Sequence, residues 1–124
     1  MENTQFYKSV LDQDRAPVVL CNLKHEIIYM NKAAEESYAE NGGAELLGKS
    51  LLDCHPPKVC EIIKKVLNWF RESKNHNMVY EFRNDEVNKD VYMVALRDES
   101  GELIGYYEKH EFRDRETMKL YDFK

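Results

Sequence analysis

The stretch from Gly48 to Phe70, GKSLLDCHPPKVCEIIKKVLNWF, constrains the fold more than any other part of the chain. Val59, Ile62, Ile63, Val66, Leu67 and Phe70 recur at the three- and four-residue spacing of one helix face, while Lys58, Glu61, Lys64, Lys65, Asn68 and Arg71 fill the other. Pro57 suits a first-turn position, where a missing N–H costs nothing, and a Pro-Pro pair cannot lie further inside. A helix with one apolar stripe must lie on something, and the only extended apolar surface elsewhere is in strands. The spacing therefore predicts one long helix laid across a sheet.

The remaining pattern supplies that sheet. Residues 3 to 13 form a short helix with Asn3 or Thr4 as cap; its narrow stripe of Phe6, Tyr7, Val10 and Leu11 either folds back on the sheet or pairs with another chain. Val18 to Cys21 and Ile27 to Met30 read as a hairpin around a turn at Leu23 to Glu26. Asn31 caps a helix over Lys32 to Tyr38, stopped by Asn41-Gly42-Gly43, and Ala44 to Leu47 adds a turn ended by Gly48. Met78 to Phe82 alternates as a half-buried strand, with Met78, Tyr80 and Phe82 on one face and Val79 and Glu81 on the other. Val91 to Leu96 is apolar on both faces, as in a central strand, and Asp98-Glu99-Ser100-Gly101 turns the chain into a last strand over Leu103 to Phe112. The fold class is α+β: a five-stranded antiparallel sheet with short helices and one long helix packed across one face.

Composition excludes several functions. A chain of 124 residues makes one domain that buries its own core without a staple. Its net charge of −5 comes from interspersed signs with no basic stripe, which disfavours direct nucleic-acid binding. No apolar run reaches membrane-spanning length, so no membrane partner is expected. Three cysteines, an odd count without framework spacing, suit a reducing cytoplasm, and cytoplasmic localisation is the expectation.

Element order and local wording together resemble the PAS domain over about residues 14 to 112. IIYMNKAAEESY resembles the family's second strand ending in Asn before a short helix; LLGKSLLDCHPP, its glycine turn into the long helix; VALRDESGELIGYYE, its closing strand-turn-strand. The DCHPPK wording is similar to a bacterial PAS subgroup attached to cation-binding or regulatory modules. The resemblance implies a bacterial sensory or interaction domain in signal transduction or transcriptional regulation, binding a small ligand or a regulatory protein and transmitting it through sheet or dimer geometry. On this reading residues 1–13 are a dimerisation helix, 14–113 the PAS-like domain and 114–124 a charged tail. A homodimer is expected, with no catalytic residue and no identified cofactor. Two features depart from the family: the last strand runs EKHEFRDRE, without the Asp-Ile-Thr-like relay triplet, and nothing matches the reactive-cysteine helix of flavin photoreceptors.

By analogy with the family, a cavity lies between the long helix and the inner face of the last three strands. Tyr38, His55, Tyr80, Met93 and Tyr107 are the candidate ligand-binding residues, although core packing also accounts for such side chains. Cys54, His55 and Cys60 form the one cluster suited to a haem or metal. A haem sensor using His55 or Cys60 is one alternative, and buried thiols with a helix-entrance imidazole are the plainer reading. No Cys-x-x-Cys zinc spacing is present, and the adjacent Cys54 and His55 point apart in extended chain, which argues against a nucleophilic dyad. A purely structural dimerisation module is the other alternative. His25 and His76 are expected to be solvated, and His110 to sit at an exposed surface.

Overall fold

The computed structural model describes residues 3–123; Met1 and Glu2 of the first segment and Lys124 of the tail lie outside the described residues. The elements run α1 (Asn3–Gln13), β1 (Val19–Asn22), β2 (Ile27–Met30), α2 (Lys32–Ser37), three 3₁₀ turns (Ala39–Asn41, Gly43–Leu46, Leu51–Cys54), α3 (Pro57–Glu72), β3 (Met78–Asn84), β4 (Lys89–Arg97) and β5 (Leu103–Phe112). All strand pairs are antiparallel and the sheet order is β2-β1-β5-β4-β3. No helix among the described residues is long and apolar enough to cross a membrane.

The α3 stripe does lie on the sheet, more narrowly than its spacing suggests. Ile63, Leu67 and Phe70 are buried with Cys21, Ile27, Met93 and Tyr106, and Val59 and Val66 pack against that cluster half-buried. Ile62, counted in the stripe from its spacing, is 45% exposed. Arg97 fixes the far end of the helix. Its guanidinium donates to the carbonyls of Phe70 at 2.8 Å, Ser73 at 3.0 Å, His76 at 3.1 Å and Gly101 at 3.1 Å. The end of β4 thus satisfies carbonyls that the end of a helix leaves open.

Two close fits set the strand pairing. At Gly105 a Cβ would stand 2.1 Å from the Cys21 carbonyl oxygen, so only glycine lets β5 meet β1 there. Gly101 takes φ +90° in the β4–β5 turn, where the Asp98 carboxylate accepts from the Ser100 and Glu102 N–H groups.

Asn31 is fully buried, and its amide is satisfied on every side. Oδ1 accepts from the N–H groups of Val18 and Ala34, each at 2.9 Å; Nδ2 donates to the carbonyls of Leu11 at 2.8 Å and Ala16 at 3.0 Å. One side chain therefore caps α2, holds the start of β1 and receives the end of α1. α1 itself buries no residue: Phe6, Tyr7 and Val10 are exposed, and the helix touches the sheet through the Tyr29 hydroxyl, which donates to Asp12.

Replacing Asn31 by Ala leaves two buried donors without acceptors and is expected to cost at least about 3 kcal/mol in urea denaturation. Asn31→Asp keeps the shape and the acceptor but turns an oxygen toward the Leu11 and Ala16 carbonyls. It is expected to be destabilised as well, and an unchanged midpoint for either variant contradicts the role assigned to this amide.

Candidate functional site

The long helix does not cover the whole inner face. Toward its N-terminal end it leaves a cavity of about 510 Å³, lined by Tyr38, His55, Val59, Ile62, Glu81, Phe82, Lys89, Glu108 and His110. Two of the sequence candidates, Tyr38 and His55, lie in this wall. Met93 shares the inner face but is fully buried in the core and does not reach the lining.

Tyr80 and Tyr107, expected in the cavity, stand on the opposite side of the sheet. On β5 the inward row is Tyr106, Glu108 and His110, so Tyr107 faces outward and pairs with Val94 and Leu20. Tyr80 pairs with Tyr92 on that same outer face, is 59% exposed, and donates its hydroxyl to Asp90. The apolar row Met78, Tyr80 and Phe82 is thus mostly the exposed row of β3, and Val79 and Glu81 turn inward. A β-bulge follows: Tyr80 opposes Tyr92 and Phe82 opposes Val91, which leaves Glu81 as the extra residue. The bulge lets both Glu81 and Phe82 line the cavity.

The histidines also depart from expectation. His76 is stacked on Trp69 with ring centroids 3.9 Å apart and donates Nδ1–H to the Trp69 carbonyl; His25 bonds the Tyr106 hydroxyl at 2.9 Å. His110 points into the cavity rather than to an outer surface, because it shares β5 parity with Tyr106 and Glu108. His55 donates Nδ1–H to the Leu51 carbonyl at 2.9 Å, so in the neutral ring Nε2 carries the lone pair. That is also the arrangement of a metal-binding imidazole. Cys60 is half-buried outside the lining, its thiol directed at the Leu52 carbonyl, and Cys54 is exposed. Burial pushes the Cys21 thiol up to about 12. Among the described residues no group of three or more His, Cys, Asp or Glu side chains is arranged to hold a metal ion.

What distinguishes the cavity is its floor. Glu81 and Glu108 both line it, and burial, followed by a hydrogen bond to Glu108, pushes the Glu81 carboxyl up to about 9. Burial, then the nearby Lys89 charge, lowers His110 against the opposing pull of Glu108. Glu81 Oε2 and His110 Nδ1 are buried without any hydrogen-bond partner. Neighbouring cations are engaged elsewhere: Lys89 stacks its ammonium over Phe112 at 5.5 Å, Lys109 and Arg113 bind Glu111, and Arg83 and Arg113 bind Asp90. Glu81, Phe82, Glu108 and His110 were not among the sequence candidates. The signal for two of them was Glu108-x-His110, a polar pair on one parity of an otherwise well-packed strand.

A carboxyl raised above its unfolded pKa binds an extra proton in the folded state, so the stability it contributes is lost as pH rises toward about 9. Thermal midpoints are therefore expected to fall between neutral pH and about pH 9 in the native chain, and Glu81→Gln is expected to flatten that limb and raise stability at its alkaline end. A limb of the same slope in the variant contradicts the raised Glu81 carboxyl.

Comparison with known proteins agrees with this architecture. A family profile described as the PAS fold matches residues 11–109. The search of curated proteins finds no match. Among solved structures, the chain is similar to the C-terminal domain of a Streptococcus mutans protein, at 24% identity and TM-score 0.66 over 88% of this chain and 84% of that one. It is similar to the PAS domain of a Colwellia psychrerythraea protein, at 16% identity and TM-score 0.65 over 90% and 98% of the two chains. A sensory box sensor histidine kinase from Vibrio cholerae is also similar, at 12% identity and TM-score 0.61 over 91% and 94%. With the sheet order, the single long helix across its inner face and this match over most of the sequence, the chain belongs to the PAS fold family.

Proposed function

We propose that this chain is a sensory domain of a signalling protein, whose cavity between α3 and the inner sheet face takes a small molecule. The observation that carries the reading is the pair of buried, unpartnered polar atoms, Glu81 Oε2 and His110 Nδ1, on the wall of a 510 Å³ space. Buried polar groups are nearly always paired in folded proteins, so two orphans in one cavity mark where a guest supplies the missing partners. The similarity to a sensor histidine kinase accords with a signalling role. No group of cavity side chains suggests a reaction, and the domain's part is recognition rather than catalysis.

Transmission follows from strand alternation. Glu108 and His110 face the guest while Tyr107, Lys109 and Glu111 face outward between and beside them, so a shift of β5 reaches both faces of the sheet. The outer face carries exposed Met78, Tyr80, Ile28 and Ile104, and exposed Phe6 and Val10 of α1 lie outside the core. We read these apolar surfaces as the seam of a homodimer or the dock of a regulatory protein. The haem alternative has one favourable feature, the His55 Nδ1–H bond to Leu51 that leaves Nε2 a free ligand.

Native mass spectrometry of protein purified from its own host tests these readings together. The expected spectrum shows a dimer retaining a small guest, and deletion of residues 1–13 is expected to shift it to monomer. A retained haem that His55→Ala removes would favour the haem reading instead. Empty protein under all growth conditions counts against a resident ligand, and an unchanged dimer after the deletion counts against α1 as the seam.

A further inference from the structure

The charge and hydrogen-bonding pattern of the cavity go further than its existence. Resting on the reading of this cavity as a ligand site, we propose that it receives a small organic cation, an amine or amidine carried on a compact apolar body, held by Glu81 and Glu108.

Apart from Lys89, the polar groups with free capacity in the wall can act as acceptors. Glu81 Oε2 is unpartnered. His55 has committed its N–H to Leu51, which leaves Nε2 as a lone pair. The unpartnered His110 Nδ1 is an acceptor in one of the two neutral tautomers. Acceptors in such number call for a guest rich in N–H donors. The lining also holds apolar side chains, Val59 and Ile62 on α3 and Phe82 beside Glu81 on β3, which suit an aromatic or short aliphatic body.

Charge points the same way. Two carboxyls in the wall of one cavity repel a third, so an acidic guest enters against its own kind. The one cation in the lining, Lys89, rests over the Phe112 ring, and the sheet's other ion pairs near this end lie among Arg83, Asp90, Lys109, Glu111 and Arg113. The acid pair is thus stabilised by a proton in place of a counter-ion, and a cationic guest can replace that proton. On entry, Glu81 releases its proton to solvent and the guest's positive charge takes its place, so charge balances with no other reactant. The groups facing this exchange are Glu108 and His110 from β5, Lys89 from β4, Tyr38 from the end of α2 and His55 from the entry to α3.

Calorimetry and amide NMR on the full chain test the assignment with two probes of equal shape, benzamidine and benzoate. Benzamidine is expected to bind saturably, shifting Glu81, Phe82, Glu108 and His110, to release protons near neutral pH, and to bind more tightly as pH approaches about 9. Glu81→Gln and Glu108→Gln should each weaken it at least about tenfold, with the pH dependence lost in Glu81→Gln. Ile62→Trp, at an exposed position on the rim, should block binding with both acids intact. Benzoate binding as tightly at the same residues overturns the cation assignment while the cavity stands as a ligand site. If neither probe binds, the cation assignment falls; if host-purified protein is also empty, the ligand reading falls with it.

Discussion

The fold hangs on one buried amide. Asn31 directly follows β2, and its side chain uses both lone pairs and both N–H groups on backbone of four other places: the end of α1, the linker at Ala16, Val18 just before β1 and the first turn of α2. No apolar side chain could replace it, because the four groups it serves would be left paired with nothing in a dry interior. An acid would serve two of the four and repel the others. The residue matters to the site too, since α2 begins on Asn31 and its end delivers Tyr38 to the cavity wall. A side chain outside the lining thereby determines where one wall of the cavity stands.

Much of this architecture is written in periodicity. The three- and four-residue spacing from Val59 to Phe70 announces the helix, Pro57 marks its start, Asn31 its role as cap, and the Asp98–Gly101 turn the closing hairpin. The identity of the cavity residues was much less legible, for a physical reason. Both faces of this sheet carry apolar side chains, so alternation shows that a strand exists without saying which row points inward. On β5 two consecutive tyrosines offered the same chemistry, and only the close approach of Gly105 to Cys21, a three-dimensional fact, decides that Tyr106 is inside and Tyr107 outside. On β3 the apolar row is the outer one, and the bulge at Glu81 cannot be read from alternation at all. Met93 was given the right face but lies deeper than the cavity.

The usual distribution of polarity in an antiparallel sheet is partly inverted here. Such sheets commonly pack one apolar face inward and leave a polar face to water. In this domain the outer face exposes Ile28, Met78, Tyr80 and Ile104, while the inner face holds two carboxyls and an imidazole. Each departure is unfavourable for an isolated domain, and each becomes favourable when something else is present: an apolar surface on one side, a hydrogen-bonding guest on the other. The two faces share the strands β4 and β5, which is the route by which the proposed guest and partner would be linked.

The Arg97 guanidinium makes the two ends of α3 unequal. By gathering the carbonyls of Phe70, Ser73, His76 and Gly101 into one knot, it makes the C-terminal end of α3 a fulcrum. The hollow lies toward the other end, by Val59 and Ile62, so it is bordered by the part of α3 farthest from this anchor. On the sensory reading proposed above, a change in what fills the hollow would displace the helix entrance near Pro57 more than the end held by Arg97.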